Sequence, residues 1–142
     1  MTRDTKQVGE ASEARILSEL KSLGYTVLTP FGDNAKYDLV YDKDGEFIRV
    51  QVKTGKIHDS GVVKFRLRTA GHNNTDGTYR KSYTEDDIEQ FAVYCPQNDS
   101  CYLIDFEDTP EATMSLRIEP SDNGQTKGVN MAEDYLLTER LK

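Results

Sequence analysis

Residues 36–53, KYDLVYDKDGEFIRVQVK, read as two alternating strands joined by a turn. Asp-Gly between two such runs is a strong hairpin signal, because both central residues of the favoured turn need positive φ. With Asp44-Gly45 as a two-residue loop, Lys43 faces Glu46. The same register puts Asp38 directly across from Gln51. Side chains alternate along a strand. Arg49, Gln51 and Lys53 therefore share one face, and Ile48, Val50 and Val52 share the other. The aliphatic face is predicted core. The polar face brings Asp38, Gln51 and Lys53 within reach of one another.

That face has two readings. One is a solvated polar edge. The other is a site for a hard divalent cation, which takes oxygen ligands. In the second reading Asp38 supplies a charge, Gln51 an amide oxygen and Val52 its backbone carbonyl. Lys53 then orients or helps deprotonate a water, and offsets charge developing on a phosphoryl group.

Upstream, Glu10 to Leu23 is predicted as a helix. Ala11, Ala14, Ile16, Leu17, Leu20 and Leu23 recur at spacings of three and four. Gly24 follows at the C-terminal cap position. Tyr25 to Thr29 reads as a strand ended by Pro30, and Phe31 to Ala35 as a loop. Downstream, Val62 to Thr69 alternates, with Val63, Phe65 and Leu67 on one side and Lys64, Arg66 and Arg68 on the other. Gly71 to Lys81 is polar with two glycines and reads as a mobile loop. Thr84 is expected to cap a short helix. Phe91–Cys95 and Cys101–Phe106 form a second hairpin, Met114–Glu119 a short strand, and Asn130–Leu141 a closing amphipathic helix. The order predicts one α/β domain over residues 1–142, largely a meander sheet. Its core covers about 10–106 and its C-terminal extension 107–142.

The net charge of −7 is unevenly spread. Residues 1–45 carry −2, residues 46–81 carry +5 and residues 82–142 carry −10. A basic segment inside an acidic chain is either a solvated face or a polyanion footprint. Lys64, Arg66 and Arg68 follow one another at about 6.6 Å, which suits successive phosphates. Arg49, Lys56, Arg80 and Lys81 complete the candidate DNA-binding set. Cys95 and Cys101 are too few for a disulfide scaffold, and no bridge is expected in a reducing compartment. His58 and His72 read as loop residues. No apolar run nears the ~20 residues that span a bilayer, and Met1–Glu10 has no apolar core. The expectation is a cytoplasmic protein with no signal peptide and no membrane partner.

These residues resemble the PD-(D/E)XK nuclease superfamily. Tyr37-Asp38 stands where that family has Pro-Asp, and Gln51-Val52-Lys53 where it has Glu-x-Lys. Its upstream helical Glu matches Glu13, eleven residues before Gly24, a spacing also similar to that of archaeal Holliday-junction resolvases. Three longer blocks, Gly24–Asp42, Arg49–Gly55 and Phe91–Ile104, resemble the group I intron-associated members, with GYxVLxPFGDNxxYDLVxD, RVQVKTG and FAVYCPxxDxxYLI. The resemblance implies a restriction-endonuclease-like α/β core, a mixed β-sheet with an N-terminal helix packed on it. It implies hydrolysis of DNA phosphodiester bonds with Mg²⁺, or Mn²⁺ as substitute. Glu13, Asp38, Gln51 and the Val52 carbonyl would hold the metal, Lys53 would serve the nucleophilic water, and Thr54 would bond phosphate. Since one site cuts one strand, a homodimer or higher symmetric oligomer is expected. Two departures matter. Gln51 is uncharged, which favours one metal ion or weak metal binding, and Glu10 rivals Glu13 on the same helical face. A Holliday-junction resolvase-like enzyme, a catalytically silent DNA-binding module and an unrelated interaction domain are the alternatives.

Overall fold

The structure is a computed structural model that describes residues 4–58, 61–73, 77–81, 83–119 and 129–142, with the backbone alone for 69–73 and 77–81. Helix α1 runs Thr5–Ser22, five residues longer at its start than the apolar stripe predicts. Cap chemistry sets that start: the Asp4 carboxylate accepts the Gln7 N–H at 2.7 Å. At the other end Gly24 adopts φ 95°. Its N–H bonds the Lys21 carbonyl at 2.9 Å and the Tyr25 N–H bonds the Leu20 carbonyl at 3.1 Å, closing the helix as expected of glycine there.

Strands β1 (Thr26–Leu28), β2 (Leu39–Lys43) and β3 (Glu46–Thr54) follow. The predicted hairpin register holds, from Lys43 opposite Glu46 to Leu39 opposite Val50. Asp44 (φ 53°) and Gly45 (φ 92°) make the turn. After β3 the chain forms β4 (Lys56–His58), β5 (Val62–Arg66), β6 (Thr69–Asn73) and β7 (Gly77–Lys81). It then forms β8 (Gln90–Cys95), β9 (Ser100–Asp105) and β10 (Thr113–Arg117). The main sheet has the order β1-β2-β3-β8-β9, and a second sheet the order β10-β5-β4.

The sheet is mixed, not largely a meander, because β8 pairs parallel with β3. Parallel neighbours need a crossover, and here β4, β5 and the β6–β7 pair supply it. Gly55 lies where the chain passes from one sheet to the other. A Cβ there would stand 2.6 Å from Val63 Cγ1 and 3.0 Å from Val93 Cγ1. One core lies between α1 and the main sheet, including Ile16, Leu20, Val50 and Val52. The other lies between the two sheets, including Val63, Phe65, Phe91 and Val93. Cys101 belongs to the first core and Cys95 to the second, and both thiols are free.

Three local expectations are corrected. Residues 71–73 and 77–81 are strand instead of loop: β6 and β7 pair from Thr69–Lys81 to Asn73–Gly77, while residues 74–76 of the predicted loop lie outside the described ones. The Thr84 segment makes one turn instead of a helix, because the Asp87 carboxylate accepts the Thr84 N–H at 2.8 Å and folds the chain back. The closing helix is broken into a 3₁₀ turn at Ala132–Tyr135 and a short α2 at Leu137–Arg140. Leu136 between them is extended (ψ 127°) and bridges Tyr102, so the tail covers the outer edge of β9. No described helix is long and apolar enough to cross a membrane.

Candidate active site

Asp38 sits one residue before β2 and is held by two bonds. Its N–H donates to the Val50 carbonyl at 2.9 Å. Its Oδ2 accepts the Val52 N–H, also at 2.9 Å. The two contacts bracket Gln51, so Asp38 occupies the predicted cross-strand position. Strand alternation aims the Val52 carbonyl the same way as the Val50 carbonyl, past the start of β2 and beside Asp38. Gln51 and Lys53 project from the opposite face to Val50 and Val52, toward the second sheet.

Glu13 arrives from α1. The Ser12 and Thr54 hydroxyls, 2.6 Å apart, fasten that turn of the helix to the end of β3. Thr54, expected to bond phosphate, thus has a partner within the fold. Burial pushes the Glu13 carboxyl above its ordinary value, and repulsion from Asp38, then from Glu10, adds to it. Asp38 is also raised by burial, against the opposing pull of the Val52 N–H and Lys53. Glu13 is partly buried, and its rival Glu10 is exposed. Burial lowers the Lys53 ammonium, with Asp38 opposing. Its Nζ lies 5.1 Å from the centre of the Tyr83 ring. Sequence reasoning missed Tyr83, which follows a polar run and shows no periodicity. Its ring packs edge-on against Phe91 at 5.6 Å.

The donors fit a hard cation. All are oxygens, and two are carboxylates whose charges repel without full compensation from Lys53. Among the described residues, no three His, Cys, Asp or Glu side chains gather to hold a metal. A full donor set at this site therefore needs the Gln51 amide and the Val52 carbonyl.

A cleft of about 470 Å³ continues from Lys53 onto the exposed face of the second sheet, lined by Thr54, Lys56, His58, Lys64 and Arg66. Lys56, Lys64 and Arg66 are exposed. His58 belongs to β4 in this cleft instead of a loop. Arg68 differs from its two predecessors: its guanidinium pairs with the Glu111 carboxylate at 3.1 Å. Arg49 is occupied too, pairing with Glu89 at 2.9 Å and donating to the Asp86 carbonyl at 2.6 Å. It braces the turn that follows Tyr83. The side chains of His72, Arg80 and Lys81 lie outside the described ones.

A family model described as PD-(D/E)XK endonuclease matches residues 3–138. Protein 5.3 of Escherichia phage T7 is 35% identical over 85 residues, which is 60% of this chain and 68% of that protein. The solved structure of the bacterial homing endonuclease I-Ssp6803I matches with a TM-score of 0.79 and 25% identity, over 98% of this chain and 93% of that one.

Proposed function

The chain belongs to the PD-(D/E)XK endonuclease family, and from that premise we propose that it is a divalent-metal-dependent DNA endonuclease of the intron-associated type. One observation carries the reading. Asp38, held across from Gln51 by the Val52 N–H, shares a half-buried corner with Glu13 and Lys53. Asp38, Glu13, the Gln51 amide oxygen and the Val52 carbonyl would hold Mg²⁺, or Mn²⁺ in its place. The ion, when bound, supplies Lewis-acid stabilisation of charge on the phosphoryl oxygens. Lys53 orients the attacking water and neutralises charge developing at phosphorus. The Tyr83 ring holds the ammonium at the edge of the cleft. Lys56, Lys64 and Arg66 track the phosphate backbone leading to it. One such corner cuts one strand, so a double-strand cut takes two copies of the chain.

Supercoiled plasmid tests this directly. Nicking is expected in Mg²⁺ and Mn²⁺ and not in EDTA. Lys53→Ala should cut at least about 100-fold more slowly, while keeping its DNA affinity and melting temperature. Cutting at the parent rate would remove Lys53 from the mechanism. A four-way junction cut in preference to the plasmid would reassign the enzyme to the resolvase type.

A further inference from the structure

Phe31 stands fully in solvent, at 107% of its reference exposure. A single exposed apolar residue is ordinary on a protein surface. What sets Phe31 apart is its place. Leu28, the last residue of β1, pairs with Val40, and Asp38 lies two residues before Val40. The chain leaves the sheet past Leu28 and so departs beside Asp38. Pro30 then ends any strand, and Gly32 at φ 91° turns the backbone, leaving Phe31 at the turn. The far end of the loop is fastened: Lys36 Nζ pairs with Asp87 Oδ1 at 3.3 Å. Asp87 belongs to the turn that follows Tyr83, whose ring covers Lys53. The loop is thus anchored on both sides of the Asp38–Lys53 corner, with its aromatic ring presented outward.

Resting on the nuclease reading, we infer that Phe31 is a DNA-deforming wedge that inserts into the base stack beside the scissile phosphate. A substrate whose phosphate reaches Asp38 and Lys53 must pass the loop that leads into Asp38. An apolar ring offered there to a duplex has the base step as its natural partner. Insertion trades two exposed apolar faces for a stacked contact and unstacks the base step it enters. No charge is involved, so the step adds nothing to the salt dependence of binding.

The chain contains no Trp, so a single introduced one reports its own surroundings. Phe31→Trp is titrated with a 20-base-pair mixed-sequence duplex, in EDTA and again with Ca²⁺. Phe47→Trp is the control, because Phe47 is 59% exposed but lies toward the far end of β3, next to the Asp44-Gly45 turn. We expect Phe31→Trp emission to fall at least twofold and its quenching by iodide to drop, with little change in the control. Phe31→Ala should nick plasmid at least tenfold more slowly at subsaturating DNA, with melting temperature and salt slope unaltered. Phe31→Leu should recover part of the rate. Duplex binding seen by anisotropy without any change in Phe31→Trp emission overturns the insertion and leaves the nuclease reading standing. Quenching by a single strand but not by the duplex also overturns it. So does shielding before DNA is added, together with a dimer that Phe31→Ala dissolves in sedimentation, which would assign the ring to a second copy. Absence of DNA binding by every variant overturns both readings.

Discussion

Gln51 is the residue at which this chain departs furthest from the pattern it otherwise follows. A carboxylate there would add a third acid to Glu13 and Asp38, and hard cations respond to the number of charged ligands. Gln51→Glu should tighten Mg²⁺ or Mn²⁺ binding by about tenfold, read by calorimetry. Unchanged or weaker affinity would place the ion elsewhere. Glu13 offers a second test, in metal-free protein. Its carboxyl is held above its ordinary 4.5 by burial, then by Asp38 and Glu10. A raised acid helps folding only while protonated: that help is full below the unfolded pKa and is lost as pH rises through the folded one. At pH 7 the ionised Glu13 is therefore a cost, and Glu13→Gln should melt higher than the parent in EDTA. The gain should fade to nothing as pH falls below about 4.5. Thermal scans from pH 3 to 8 check this, and a gain that grows toward acid would contradict it. The Asp38–Gln51–Lys53 set was legible in the sequence because one turn type determines one register. Tyr83 and the Arg49–Glu89 pair were not, because their partners lie thirty to forty residues away and no local pattern encodes the meeting.

At the scale of elements, Gly55 carries more of the architecture than its place in a short motif suggests. It separates β3, which holds Gln51 and Lys53, from β4, which lines the basic cleft. The γ-methyls of Val63 and Val93 press on it from fully buried side chains with no room to yield. Gly55→Ala should cost about 1–3 kcal/mol and lower the melting temperature by several degrees. Because the clash lies between the site and the cleft, nicking should fall with it. A melting temperature equal to the parent's would show that the two sheets can part freely at this point. Hairpins were readable wherever apolar alternation met a turn, as at β2–β3 and β8–β9. The β6–β7 pair has a backbone ladder but few apolar residues to alternate, so it reads as a loop. The parallel β3–β8 pairing was also hidden, since no turn joins the two strands and only the folded cores bring them side by side. The closing segment has the apolar spacing of one helix, yet Leu136 is drawn into a bridge with Tyr102. There tertiary pairing overrides local propensity.

For the whole molecule, the decisive quantity is where charge lies, not its sum. A chain of net −7 repels DNA at long range, so attraction must come from the cationic cleft at close quarters. The structure divides the three cations of the β5 face and its continuation into two kinds. Lys64 and Arg66 are exposed and line the cleft, whereas Arg68 already pairs with Glu111. Each phosphate contact releases counterions, and losing one lowers the log–log salt slope of binding by about 0.9 on duplex DNA. Lys64→Ala and Arg66→Ala should each lower the slope by about that amount, and should weaken all sequences alike. Arg68→Ala should change it clearly less, because its charge is partly neutralised before DNA arrives. Affinity for one fixed duplex, measured across a salt series for the parent and the three variants, makes the comparison. Equal slopes in all four proteins would turn this face toward solvent and move the footprint to the Gly71–Lys81 segment. Arg80 and Lys81 supply the remaining positive charge there.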